Sequence, residues 1–66
     1  MNLQVNGSSV ELEGPLTLSG LLGLYKLRPE TVVVEYNLRV PPKEDYASIE
    51  IAEGDRIEIV KFMGGG

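Results

Sequence analysis

Apolar and polar positions alternate at the start of the chain and shift to three- and four-residue spacing soon afterwards. Leu3 and Val5 alternate with polar neighbours, and Val10 and Leu12 resume the alternation further on. Between them Asn6-Gly7 supplies the pair of positive-φ positions that a two-residue type I′ turn requires. With Asn6-Gly7 as the loop, Val5 faces Ser8, Leu3 faces Val10 and Met1 faces Leu12. Every apolar residue then lies on one face, so register and pattern agree, and the segment reads as a β-hairpin.

Gly14-Pro15 breaks this strand. Thr17 is placed to cap a helix, because its hydroxyl can accept from the free amides of a first turn. Leu18, Leu21, Leu22 and Tyr25 follow at helical spacing and define one buried stripe. Gly20 and Gly23 weaken the helix by about 0.5–1 kcal/mol each relative to Ala, so it depends on packing against a sheet. Lys26 and Arg28 fall near its C-terminal end, where the helix dipole favours cations. Pro29 closes it.

The β-branched run from Thr31 to Tyr36 reads as a central strand, with Val32, Val34 and Tyr36 inward and Val33, Glu35 and Asn37 on the other face. Asn37 then turns into a short strand over Leu38–Val40. Pro41-Pro42 bars a longer one, and 42–46 reads as a helical or 3-10 turn with Pro near its start. Ile49 and Ile51 pack underneath. Glu53-Gly54-Asp55 is a turn into the last strand, Arg56 to Phe62, whose Ile57 and Ile59 point inward. The same period sends Val60 and Phe62 outward with Glu58, which is unusual for two large apolar residues. Met63-Gly64-Gly65-Gly66 follows.

A hairpin, one helix and a later pair of strands make a single sheet with a helix across one face. The expected class is α+β, a β-grasp roll with a mixed sheet of four to five strands and one main helix. Residues 1–62 form the domain and residues 63–66 a flexible glycine tail.

Composition narrows the chemistry. The 66 residues contain no Cys and no His. That excludes a disulfide framework and a thiol nucleophile, and it removes the commonest metal ligands and the usual neutral-pH base. No metal site and no self-contained enzyme are expected. Six Lys and Arg stand against ten Asp and Glu, for a net charge of −4. The basic residues, Lys26, Arg28, Arg39, Lys43, Arg56 and Lys61, stand singly, with no patch to displace phosphate counterions. No nucleic-acid partner is expected. No apolar stretch approaches the roughly 20 residues of a membrane span, and the first residues lack the features of a signal peptide. A cytoplasmic protein is expected. Glu44-Asp45 on a surface turn reads as solvated charge, and Gly20-Leu21-Leu22-Gly23 lacks the Lys-Ser/Thr of a phosphate loop. Tyr25, Tyr36 and Tyr46 read as packing residues with hydroxyls at the boundary.

The glycine tail is the feature with chemical reach. Four extended residues span about 13–14 Å, at roughly 3.3–3.6 Å each, and glycine is slim enough for a narrow channel. Such a tail either threads a carboxylate into a partner's site or is simply an unstructured end. Val60 and Phe62, with Met63 and Val33, are the candidate docking patch beside it. Phe62 alternatively folds back over the core edge. Exposed carboxylates such as Glu35 and Glu58 either rim the patch against basic partner residues or are a solvated face.

Leu3-Gln4-Val5-Asn6-Gly7, Val34-Glu35-Tyr36-Asn37 leading to Val40-Pro41, Glu53-Gly54-Asp55-Arg56-Ile57-Glu58-Ile59 and the final Gly65-Gly66 occur in an order that resembles the ThiS family. This is the sulfur-carrier family of thiamin thiazole synthesis, within the ubiquitin-like β-grasp proteins. The resemblance covers the whole chain. Glu53 departs from the family's usual Asp in its "DGD" turn, and Gly64 adds a third glycine.

The resemblance implies a protein cosubstrate rather than a catalyst, with no bound cofactor and monomeric when free. A ThiF-like enzyme would use ATP to adenylate the carboxylate of Gly66. Sulfur originating at a cysteine desulfurase would convert it to a thiocarboxylate, and a ThiG-like thiazole synthase would consume that sulfur. Gly64 and Gly65 would supply reach into the partner's channel. Three alternatives share the pattern: a carrier for another pathway, such as a MoaD-like partner of molybdopterin synthesis, a ubiquitin-like modifier, and a β-grasp binding module with an inert tail.

Overall fold

The computed structural model describes residues 1–62. Strands β1 (Asn2–Val5), β2 (Ser8–Glu11), β3 (Val32–Tyr36) and β4 (Arg56–Lys61) form one sheet in the order β2-β1-β4-β3. The outer pairs are antiparallel and β1 runs parallel to β4, so the sheet is mixed. One helix, α1 (Leu18–Leu24), packs across a single face. This is the expected α+β grasp, with four strands at the lower end of the expected range.

The hairpin has the register that the hydrophobic pattern requires. Val5 lies opposite Ser8 and Leu3 opposite Val10, with Asn6 at φ 51° and Gly7 at φ 83°. Leu12 donates its amide to Met1 O at 2.9 Å, continuing the register outward. Asn6 has a second task beyond the turn. Its amide donates to Ile57 O, and its Oδ1 accepts the Ile59 amide at 2.7 Å. A side chain thus prolongs the parallel ladder past the point where β1 turns away.

Thr17 caps α1 as expected, its Oγ1 accepting from the Gly20 amide at 3.0 Å. Leu18, Leu21 and Leu22 are buried, but Tyr25 is exposed. The helix stops one residue before Tyr25 because Lys26 takes a left-handed conformation, φ 59°. The Lys26 amide donates to Gly23 O and the Leu27 amide to Leu22 O, the two bonds of a Schellman cap. Leu27, not Tyr25, therefore swings back onto the core.

The core is a single layer between helix and sheet. Leu18, Leu21 and Leu22 face Leu3 and Val5 of β1, Ile57 and Ile59 of β4, and Val32 and Val34 of β3. Burying a side chain of this size contributes roughly 1.5–3 kcal/mol. Tyr46, 2% exposed, and Ile51 complete the layer from the 3-10 turn Lys43–Asp45 and the segment after it, with Ile49 partly buried beside them. That segment is stitched to the helix start: Ser19 donates to Tyr46 O, Leu18 to Ile49 O and Ile51 to Leu16 O.

Two strand expectations are corrected. The valine run is an edge strand, not a central one, and it begins at Val32 because Pro29–Thr31 forms a 3-10 turn. β-branched residues favour any pleated, half-buried surface, so their presence does not separate edge from centre. Residues 38–40 form no strand. Asn37 and Leu38 are both left-handed, φ 49° and 70°, and the chain folds straight back through an isolated bridge between Tyr36 and Arg39.

Candidate functional site

Cross-strand pairing decides which outward residues of β3 and β4 meet. Val33 lies opposite Val60 and Glu35 opposite Glu58, while the Phe62 amide donates to Thr31 O at 3.0 Å as the last rung. Val60 and Phe62 are 60% and 55% exposed and Val33 is half-buried. Phe62 therefore stands on the surface rather than folding over the core edge. The result is an apolar corner on the helix-free face of the sheet, at the end of β4 where residues 63–66 follow. Met63 of the predicted patch, and Gly64, Gly65 and Gly66 of the predicted tail, lie outside the described residues.

Beside this corner the sheet presents an electrostatic mismatch. Glu35 and Glu58 stand directly opposite each other, an arrangement that is destabilising for like charges. Among the described residues the one ion pair is Arg28–Glu30, at 3.9 Å on the surface, so neither glutamate has a basic partner within the fold.

Lys43 also reaches the corner. It begins the 3-10 turn after Pro41-Pro42, and its Nζ donates to Pro29 O at 2.6 Å and Val32 O at 2.5 Å. The same ammonium lies 5.8 Å from the centre of the Phe62 ring, within cation–π range. Nothing in the linear pattern brings position 43 to position 62. The nearest signal is Pro41-Pro42, which holds the chain extended immediately before the lysine.

The opposite end of β3 carries polar chemistry. Tyr36 OH donates to Asp55 Oδ2, the Ala52 amide donates to the same oxygen at 2.8 Å, and Asn37 Nδ2 donates to Asp55 Oδ1 at 3.2 Å. The Arg56 amide donates to Asn37 Oδ1 at 2.8 Å. Burial raises the Tyr36 hydroxyl to about 12, helped by the hydrogen bond and the negative charge of Asp55. Burial also pushes Asp55 upward, but the bonds from Tyr36, Ala52 and Asn37 outweigh it and hold the carboxyl below its ordinary value. Such a pair stays one neutral phenol and one carboxylate near neutral pH. It is a tie between the end of β3 and the start of β4.

A shallow groove lined by Tyr36, Asn37, Arg39, Pro41 and Ile49 lies beside the tie, with Leu38 and Val40 exposed next to it. Among the described residues no three His, Cys, Asp or Glu side chains gather as a metal cluster, and no helix is long and apolar enough to cross a membrane.

Known proteins resemble this chain in sequence and in fold. The family model described as the ThiS family matches residues 3–66. The sulfur carrier protein ThiS of Bacillus subtilis is 42% identical over 65 residues, taking in 97% of this chain and 98% of its own. A thiazole synthase of Paramagnetospirillum magneticum is 39% identical over 66 residues. That match takes in all of this chain, which spans about 20% of the synthase's length. The crystal structure of the thiamine biosynthesis protein ThiS from Geobacter metallireducens superposes with a TM-score of 0.84 at 38% identity, both chains covered in full. The family model spans nearly the whole chain, the Bacillus relative matches it over almost its full length and the Geobacter structure shares its fold, and on that footing the chain belongs to the ThiS family of sulfur carrier proteins in thiamine biosynthesis.

Proposed function

We propose that this chain carries sulfur as a thiocarboxylate on Gly66 and delivers it to a thiazole synthase of the ThiG type. The observation that supports the reading most is where β4 ends. An exposed apolar corner, Val33, Val60 and Phe62, leads directly into Met63-Gly64-Gly65-Gly66, on a chain with no cysteine or histidine. Without a thiol of its own, such a carrier must hold sulfur on the backbone.

In this reading a ThiF-like enzyme binds ATP and the carrier together. The Gly66 carboxylate, ionised near neutral pH with a pKa of about 3.3–3.7, attacks the α-phosphorus and displaces pyrophosphate. Attack of a sulfur nucleophile on the acyl-adenylate then displaces AMP. In the cell that sulfur originates at a cysteine desulfurase, and the exchange takes place in the cytoplasm. The chain itself binds no cofactor and catalyses no step. Val33, Val60, Phe62 and Met63 form the apolar part of the docking surface, and Gly64 and Gly65 thread the partner's channel. The opposed Glu35 and Glu58 favour a partner that brings a basic side chain between them, since a cation there would relieve their repulsion. The match to one-fifth of a thiazole synthase supports the pairing with that enzyme, because a carrier-like segment occurs there within the synthase's own chain.

The test is intact-mass measurement after incubation with a ThiF-like enzyme, ATP and sulfide. A gain equal to the exchange of one oxygen for one sulfur is expected. No gain, under conditions where the enzyme loads a known carrier, would overturn the reading.

A further inference from the structure

We propose that Lys43 is a positioning residue for loading, fixing the direction in which the chain leaves the sheet at Phe62; the proposal rests on the carrier reading above. Three segments that are remote in sequence converge on one ammonium. It donates to Pro29 O in the turn before β3 and to Val32 O on β3 itself, and it faces the Phe62 ring. An ammonium has three donors and no acceptor, so two directed bonds to fixed carbonyls pin its position. The ring it faces is pinned in turn, on a residue whose amide is held by Thr31 O.

The carbonyls explain why a lysine suits this place. β3 is the edge strand, and Val32 O points away from β4, because the neighbouring residues, Thr31 and Val33, form the hydrogen-bonded pairs with Phe62 and Val60. The ammonium occupies that outward carbonyl and bars a further strand from this end of β3. It thereby couples the blunting of the sheet edge to the orientation of Phe62. Only residues 63–66 separate Phe62 from the reacting carboxylate, at most about 13–14 Å of chain, so the direction taken at Phe62 sets the origin of the space that carboxylate can search. Biasing that search matters in a reaction that depends on an aligned attack.

Lys43→Met keeps the length and apolar stem of the side chain and removes the ammonium. Steady-state loading by the ThiF-like enzyme is expected to show kcat reduced roughly fivefold with KM within about twofold of the wild type, because every apolar side chain of the docking surface is retained while fewer docked molecules are aligned. Lys43→Arg, which can donate to the same carbonyls and stack on the ring, is expected to restore kcat. An unchanged kcat in Lys43→Met, or a drop that Arg does not repair, would overturn the proposal. A purely structural role would lower the melting temperature and leave kcat and KM alone.

A second readout is independent of loading. Amide relaxation at Phe62, and the ring-current shift of the Lys43 ε-methylene in the wild type, report the contact directly by NMR. Increased motion at Phe62 in Lys43→Met is expected, and its absence would overturn the proposal even if wild-type protein proves not to be loaded at all. Failure of wild-type loading would overturn the carrier reading instead.

Discussion

At one end of the β3–β4 ladder, Asp55 collects Tyr36 OH, Asn37 Nδ2 and the Ala52 amide, and Asn37 in turn accepts from the Arg56 amide. At the other, one lysine ammonium and the Phe62 rung hold the last described residues. The first end is polar, interlinked and shut by a tight turn. The second is apolar, exposed and followed by glycines. A network of short, charge-assisted bonds serves stability, because each member fixes the next. The exposed corner, held by one ammonium and one rung, keeps its apolar area available to bury against a partner, which is what the proposed carrier role asks of it. In that reading the same pair of strands is anchored at one end and presents the other.

Removing Gly66 tests that division most severely. Loading is expected to be abolished, read by intact mass, while the urea midpoint stays within error, because among the described residues the buried core runs from Leu3 to Ile59. A large loss of stability would show that the presenting end also holds the fold together.

Asp55→Ala attacks the other end and should have the converse outcome. It leaves the Tyr36 hydroxyl, the Ala52 amide and the Asn37 amide without their acceptor. The cost is expected to be about 1 kcal/mol, the low end of the range for a group left without its acceptor, because Ala52 and Asn37 are exposed to water and only Tyr36 is partly buried. Loading at a temperature well below the melting transition should be unaffected.

The same tie sets a pH window. Asp55 is held below its ordinary value of 3.8 in the folded chain, so its contribution is present above that value and disappears as the pH falls through the folded pKa. Tyr36, raised from 10.0 to about 12, contributes below pH 10 and loses that contribution as the pH climbs toward 12. Urea midpoints across both limbs should be flatter in Asp55→Asn than in the wild type. Identical limbs would remove the tie from the account of pH stability.

Phe62→Ala should weaken binding to the activating enzyme by roughly tenfold, as truncation of an aromatic anchor does, and lower stability by less than about 1 kcal/mol. The reverse ordering would assign Phe62 to the core. The smallest expected effect comes from Gly23→Ala, on the exposed face of α1, where an added Cβ meets nothing within 4 Å. It should stabilise by about 0.5–1 kcal/mol and leave loading unchanged. A parallel rise in loading would mean that global stability, not the presenting end, limits transfer.

Much of this was legible along the chain where the determining forces are local. Asn6-Gly7 dictates a turn whose register can be counted outward, and Thr17 with the leucines after it dictates a capped, one-faced helix. The helix end was less legible. Tyr25 continues the helical spacing, yet a lysine rather than a glycine supplies the left-handed cap, and Leu27 takes the inward place. Residues 38–40 resembled a strand because β-branched and apolar residues surround the turn, while two consecutive left-handed residues, one of them a leucine, leave no room for a ladder. The outward placing of Val60 and Phe62 followed from a period of two alone. That Val33 would meet Val60, and Glu35 meet Glu58, required the antiparallel register of β3 on β4.

Local sequence suffices for the elements, the inward faces, the absence of thiol and imidazole side chains, and the place where a glycine segment follows a strand. These depend on turn chemistry, periodicity and composition, which act over a few residues. Tertiary structure alone decided that the valine strand lies at the edge, that Asn6 completes the ladder to β4, and that Lys43 meets Phe62. Each of those joins residues far apart in the chain, and such contacts are selected by the packing of the whole sheet against one helix rather than by any neighbouring residue's preference.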